Sequence, residues 1–115
     1  MPKGYWIIRV DVADHEAYKA IARATAKAFS IYSARYLVRG APVKLVDGAA
    51  RAYNAVVEFA DYPTALACYN STEYQRTKRV RVVGAAADVI IVEGYDGPQP
   101  QRSRNRPIPR LRPKG

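Results

Sequence analysis

The sequence predicts an α+β fold in which a four-stranded antiparallel sheet carries two helices on one face. Three observations lead there. Two segments space their apolar residues at three- and four-residue steps, as helices do, and four short segments are rich in β-branched and aromatic residues. Their order is strand, helix, strand, strand, helix, strand, the split β-α-β arrangement.

The first strand, Tyr5 to Val12, sets the two faces. Side chains alternate along a strand, so Trp6, Ile8, Val10 and Val12 share one side while Tyr5, Ile7, Arg9 and Asp11 share the other. The first set demands a core. The second is too apolar for water and too polar for a dry interior, which marks the wall of a shared or ligand-lined space.

Asp14 is the expected N-cap of the first helix, with Glu16 in its first turn. Tyr18, Ile21, Thr25, Ala28 and Tyr32 form the inner stripe, beside Ala22 and Phe29, while Lys19, Arg23, Lys27 and Ser30 fall opposite. His15 has no second histidine to work with and is an exposed first-turn residue. Arg35 to Val38 makes the second strand, ending at Arg39-Gly40. Ala41-Pro42 interrupts it, and Val43 to Val46 is expected to continue it, bent, at the sheet edge, before a turn at Asp47-Gly48. Tyr53 to Phe59 is the third strand.

Asp61 caps the second helix, with Pro63 in its first turn and an inner stripe of Ala65, Leu66 and Tyr69. The helix breaks and restarts at Asn70-Ser71, where Asn70 and Glu73 have capping-box spacing, and Gly84 ends it. Asp88 to Tyr95 is the fourth strand, with Ile90 and Val92 assigned to the core and Val89, Ile91, Glu93 and Tyr95 to the other side.

The expected core therefore joins Trp6, Ile8, Val10, Tyr36, Val38, Ala55, Val57, Phe59, Ile90 and Val92 to the helices. The uncovered side receives Tyr5, Ile7, Arg9, Asp11, Leu37, Arg39, Asn54, Val56, Glu58, Val89, Ile91 and Glu93. Half of these are apolar, a large exposed patch for a monomer, and a second copy laid against it is the economical cover. The expected assembly is a homodimer.

Composition bounds the remaining possibilities. The 115 residues, 49% hydrophobic and 25% charged, suit one soluble domain. The net charge of +9 is concentrated at one end: Arg102, Arg104, Arg106, Arg110, Arg112 and Lys114 carry six of those charges, with five of the eight prolines in the last eighteen positions. Residues 1–97 form the expected domain, and 98–115 a basic tail without the apolar content to fold. Outside the tail the chain is only mildly basic, so the overall charge does not argue for nucleic acid. Cys68 permits no internal disulfide, which fits a reducing, cytoplasmic setting, and no apolar run has the length of a membrane span. One histidine and one cysteine give no metal-ligand spacing, there is no phosphate-binding glycine loop, and no cofactor is expected.

Taken together, Tyr5-Trp6-Ile7, Arg39-Gly40, Val57-Glu58-Phe59, Tyr69-Asn70-Ser71-Thr72-Glu73-Tyr74-Gln75 and Val92-Glu93-Gly94 resemble the small bacterial proteins grouped as domain of unknown function 1330, over about residues 4 to 96. That family is similar to the ferredoxin-like, dimeric α+β barrel proteins, so the resemblance implies two sheets facing one another across a barrel. Relatives in that superfamily include cofactor-free monooxygenases, muconolactone isomerases and haem enzymes, but the family has no settled activity. The chain departs from the pattern in its tail and in Ala41, where a second glycine is common.

The candidate site residues follow from this geometry. Arg39 can bind a carboxylate or enolate with its planar fork; its plainer use is an ion pair with Glu58 or Glu93. Glu58 and Glu93 can serve as general base and acid if the strand order brings them together. Tyr69, Ser71 and Tyr74 surround the helix break and can hydrogen-bond a ligand at the barrel mouth, although capping is the commoner use of such a Ser71 and packing of such a Tyr69. Arg9 completes the set from the first strand. The expected function is binding of a small anionic or oxygenated organic molecule, with cofactor-independent acid/base or oxidative chemistry in view. The alternative is a non-catalytic scaffold whose tail, helped by Arg76, Lys78, Arg79 and Arg81, attracts nucleic acid or an anionic surface.

Overall fold

The computed structural model describes residues 1–101, the side chains of residues 79–84 apart. Its elements are β1 (Gly4–Val12), α1 (His15–Ile31), β2 (Arg35–Arg39), β3 (Tyr53–Phe59), α2 (Tyr62–Tyr69), α3 (Thr72–Gly84) and β4 (Ala85–Glu93). The strands form one antiparallel sheet in the order β2-β3-β1-β4, so the first strand is central and the helices cross one face. This is the ferredoxin-like α+β fold.

Local chemistry sets most of the boundaries. Asp14 caps α1 by accepting from the backbone N–H of Glu16 and Ala17, and Asp61 caps α2 by accepting from Thr64, with a proline in the first turn. The break between α2 and α3 falls where expected. Its cap is Ser71 and not Asn70: the Ser71 hydroxyl accepts from Tyr74 N at 3.2 Å and donates to Cys68 O at 2.6 Å.

Trp6 is the centre of the core. It is fully buried, its indole N–H donates to Ala65 O at 2.9 Å, and its ring meets Phe29, Phe59 and Tyr74 at centroid distances of 5.1, 5.6 and 4.7 Å. Gly4, at the start of the same strand, lies where any Cβ would meet the backbone of Asp61 and Tyr62, so α2 begins in direct contact with β1. Cys68 is a buried residue of α2, and burial pushes its thiol up to about 12.

Three further expectations are corrected. In β4 the register pairs Trp6 with Ile91 and Ile8 with Val89, so Val89 and Ile91 pack on the core while Ile90 and Val92 face outward, the reverse of the sequence reading. The strand also starts at Ala85 and stops at Glu93. Second, a bulge between Tyr36 and Val38 adds a residue to β2, which turns Val38 outward opposite Val56 and turns Arg39 to the helix side opposite Ala55. Third, Val43 to Val46 is not a strand but part of a loop spanning residues 40–52, Pro42 having removed a donor from any continued ladder.

The open face of the sheet holds Tyr5, Ile7, Arg9 and Asp11, with Asn54, Val56 and Glu58 from β3 and Asp88, Ile90 and Val92 from β4. Its charges cancel in place. Arg9 pairs with Asp88, Arg51 with Asp11 and Asp88, and Arg35 with Glu58. Among the described residues no helix is long and apolar enough to cross a membrane. Most of the tail expectation, residues 102–115, lies outside the described residues.

Candidate site: a tyrosine-lined cavity between helices and sheet

Between α1, α3 and the covered face of the sheet the packing leaves a cavity of about 210 Å³. Its inner wall is apolar, from Ile8, Val10, Ile21, Phe29, Ala55 and Val89. Its polar groups come from Tyr18 on α1, Tyr36 and Arg39 on β2, and Tyr53 at the start of β3, with Thr25 and Thr77 nearby. Helical spacing brings Tyr18, Ile21, Ala22 and Thr25 inward together. The β2 bulge delivers Arg39 to the same space.

Arg39 marks the mouth, since it is the lining residue open to solvent. Its guanidinium lies 4.6 Å from the centre of the Tyr36 ring, which fixes it without neutralising it, and among the described residues no carboxylate pairs with it. Burial, then the neighbouring Tyr53 and Tyr36, push the Tyr18 hydroxyl up to about 12, against the pull of Arg39. Tyr36 is raised by burial too, again opposed by Arg39. Both phenols therefore stay protonated at neutral pH and act as hydrogen-bond donors. None of the Tyr18, Tyr36 and Tyr53 hydroxyls has a hydrogen-bond partner among the described residues.

Tyr53 is placed by its neighbours. Its ring meets that of Tyr18 edge-on at 6.2 Å. On the other side stands Gly40, at a φ of +61°, where any Cβ would stand only 2.9 Å from the Tyr53 ring, so the position favours glycine.

The sequence-derived site residues do not gather. Arg39 and Tyr74 line the cavity, Tyr74 from its buried position against Trp6. Glu58 lies on the open face, where it accepts from the Tyr5 hydroxyl at 3.3 Å and pairs with Arg35 rather than Arg39. Glu93 pairs with Gly4 on the opposite side of the sheet from Glu58 and is exposed, so the two glutamates form no acid/base pair within the protomer. Ser71 is occupied as a cap. Tyr69 packs on Trp6 at 6.0 Å and accepts from Lys78 Nζ at 2.8 Å. Arg9 belongs to the ion-pair network of the open face.

That network gives a pH expectation. Asp88 is held below its usual carboxylate range by hydrogen bonds from Arg51, and Asp11 by the backbone N–H of Ala52 and then by Arg51. Carboxylates depressed in the folded state stabilise it above their unfolded pKa, about 4, and lose that contribution as pH falls through their folded values. The urea midpoint should therefore drop between pH 5 and pH 3, and the drop should be smaller in Arg51→Ala. An equal drop in both proteins would remove this network as its cause.

Tyr18, Tyr36 and Tyr53 were missed as site residues, because a tyrosine on an apolar stripe has the same spacing whether it fills a core or borders a hole. A comparison with curated proteins returns no match. Solved structures are similar in fold at low identity. A protein of unknown function from Rhodopseudomonas palustris, RPA0582, is 12% identical with a TM-score of 0.66, covering 84% of this chain and 85% of that one. SnoaB, a cofactor-independent oxygenase from Streptomyces nogalater, is 7% identical with a TM-score of 0.58, over 92% of this chain and 100% of its own. HapK from Hahella chejuensis is 11% identical with a TM-score of 0.51, over 86% and 99%. At such identity these relatives show the fold alone. A family model matches residues 3–95, and with that span the chain belongs to the family described as Domain of unknown function (DUF1330).

Proposed function

We propose that this protein binds a small organic anion, about one substituted ring in size, in the cavity between its helices and its sheet, and that it works as a homodimer joined through the open sheet faces. The observation that carries the binding reading is Arg39: an arginine without a carboxylate partner among the described residues, held on Tyr36 at the mouth of a cavity bordered by tyrosine hydroxyls. A dry apolar cavity of about 150 Å³ accepts benzene, so 210 Å³ leaves space for a ring and one polar group. The ring packs against Ile8, Ile21 and Phe29, while its carboxylate, phenolate or enolate oxygen meets Arg39 and the Tyr18 hydroxyl.

The same geometry favours binding over glutamate-catalysed turnover. Neither Glu58 nor Glu93 reaches the cavity, and phenols raised by burial donate protons in hydrogen bonds but do not abstract them at neutral pH. Because the fold is shared with a cofactor-independent oxygenase, oxygenated ring compounds are the first probes to use.

Calorimetric titration with salicylate tests the proposal. A charged hydrogen bond contributes about 1.5–3 kcal/mol, so Arg39→Met, which keeps the chain on Tyr36 but removes the charge, should weaken salicylate binding about 10- to 100-fold. Unchanged affinity in Arg39→Met would take Arg39 out of the site.

A further inference from the structure

The loop of residues 40–52 leaves from the mouth of the cavity and returns to it: Arg39 precedes it, Tyr53 follows it, and both line the cavity. Its far end is fastened. Ala52 N donates to Asp11 at 2.9 Å, and Arg51 spans Asp11 at 2.8 Å and Asp88 at 2.7 Å. Its near end is held at Gly40, whose N–H donates to Asn54 O at 2.9 Å, while Gly48, at a φ of +78° with open space around it, gives the loop a turn that no packing constrains. Between them Val43, Leu45 and Val46 stand in water, 54%, 55% and 83% exposed. Aliphatic side chains clustered in a tethered loop gain free energy when something covers them. An extended chain advances about 3.3 Å per residue, so Leu45 and Val46 are within reach of the mouth at Arg39.

We propose that this loop closes over the occupied cavity, with Val43, Leu45 and Val46 shielding the contact between Arg39 and the bound anion from water. The inference rests on the binding site proposed above and assigns that site a lid. Closure has a physical return on both sides of the contact. The aliphatic side chains leave water, and the pairing of guanidinium with anion strengthens as the local dielectric falls. The ion pairs of Arg51 hold the base of the loop still, so the movement is confined to the segment bearing the three aliphatic residues.

The test places a cysteine at Val46 (V46C) and attaches a polarity-sensitive fluorophore. Cys68 is fully buried and its thiol is pushed up to about 12, so the label goes to the introduced residue. Salicylate should move the emission to shorter wavelength, saturating at the concentration that saturates calorimetry. The double variant Leu45→Ser, Val46→Ser should release salicylate about tenfold faster, with its association rate unchanged within about twofold. Calorimetric binding with no change in emission and no change in release overturns the lid and leaves the site standing. No calorimetric binding at all removes the site and the lid with it. Emission that shifts with protein concentration in the absence of salicylate shows the loop resting on a second copy, and overturns closure over the cavity.

Discussion

Replacing Trp6 by alanine should cost about 3–5 kcal/mol of folding stability, measured as a fall in the urea midpoint. The indole is fully buried and touches rings from α1, β3 and α3, so its loss opens a hole that no single neighbour can fill. It also leaves Ala65 O, inside the first helical segment after β3, without the donor it has at 2.9 Å. Domains of this size hold about 5–15 kcal/mol in all, so the variant should sit close to unfolding at room temperature. Trp6→Phe, which keeps most of the volume, should lose clearly less. A loss below about 1 kcal/mol for the alanine variant would mean that Trp6 is not the centre of the core.

Placing aspartate at Ile7 should convert the protein to a monomer with its fold intact. Ile7 lies in the middle of the open face, paired across the sheet with Val56 on one side and Ile90 on the other. The face carries the apolar side chains a partner would cover, Ile90 being 54% exposed and Val38 39%. Its arginines and carboxylates are already paired within the protomer, so two identical faces meet without repulsion. A carboxylate at position 7 enters such an interface twice, unpaired each time, at a cost of about 3–5 kcal/mol per buried charge. Light scattering at micromolar concentration should give twice the chain mass for the natural sequence and the single mass for Ile7→Asp, with an unchanged circular dichroism spectrum. A natural protein of single mass would refute the pairing; a variant that remained dimeric would move the interface elsewhere.

The parts of this structure that were legible in the sequence are those with a local cause. Asp14 and Asp61 announce their helices because a carboxylate before an apolar-periodic segment has one main use, to accept the free N–H groups of the first turn. In β1 the alternation of Ile8, Val10 and Val12 with Arg9 and Asp11 fixes the faces, since the two charges can only sit on the side away from the core. The run Val89-Ile90-Ile91-Val92 has no such contrast. Either phase buries two aliphatic residues, and only the pairing of Trp6 with Ile91 decides between them. Arg39 lies on the side opposite to the one its alternation implies for a related reason: a bulge reverses the phase of every residue beyond it, and Tyr36-Leu37-Val38 contains neither glycine nor proline to signal one. The cavity was illegible on different grounds. It is a gap left where Tyr18, Tyr36 and Tyr53 converge from three elements without filling the space between helices and sheet, and pattern along a chain carries no information about such a gap.

The central claim is that the ligand enters the protomer on the helix side of the sheet and does not occupy the space between two facing sheets. A crystal soaked with 4-bromobenzoate tests it directly, because bromine is located by its anomalous scattering. The bromine is expected inside the cavity, among Ile21, Phe29 and Val89, with the carboxylate on Arg39. A bromine on the open face, beside Ile7 and Glu58, would contradict the claim.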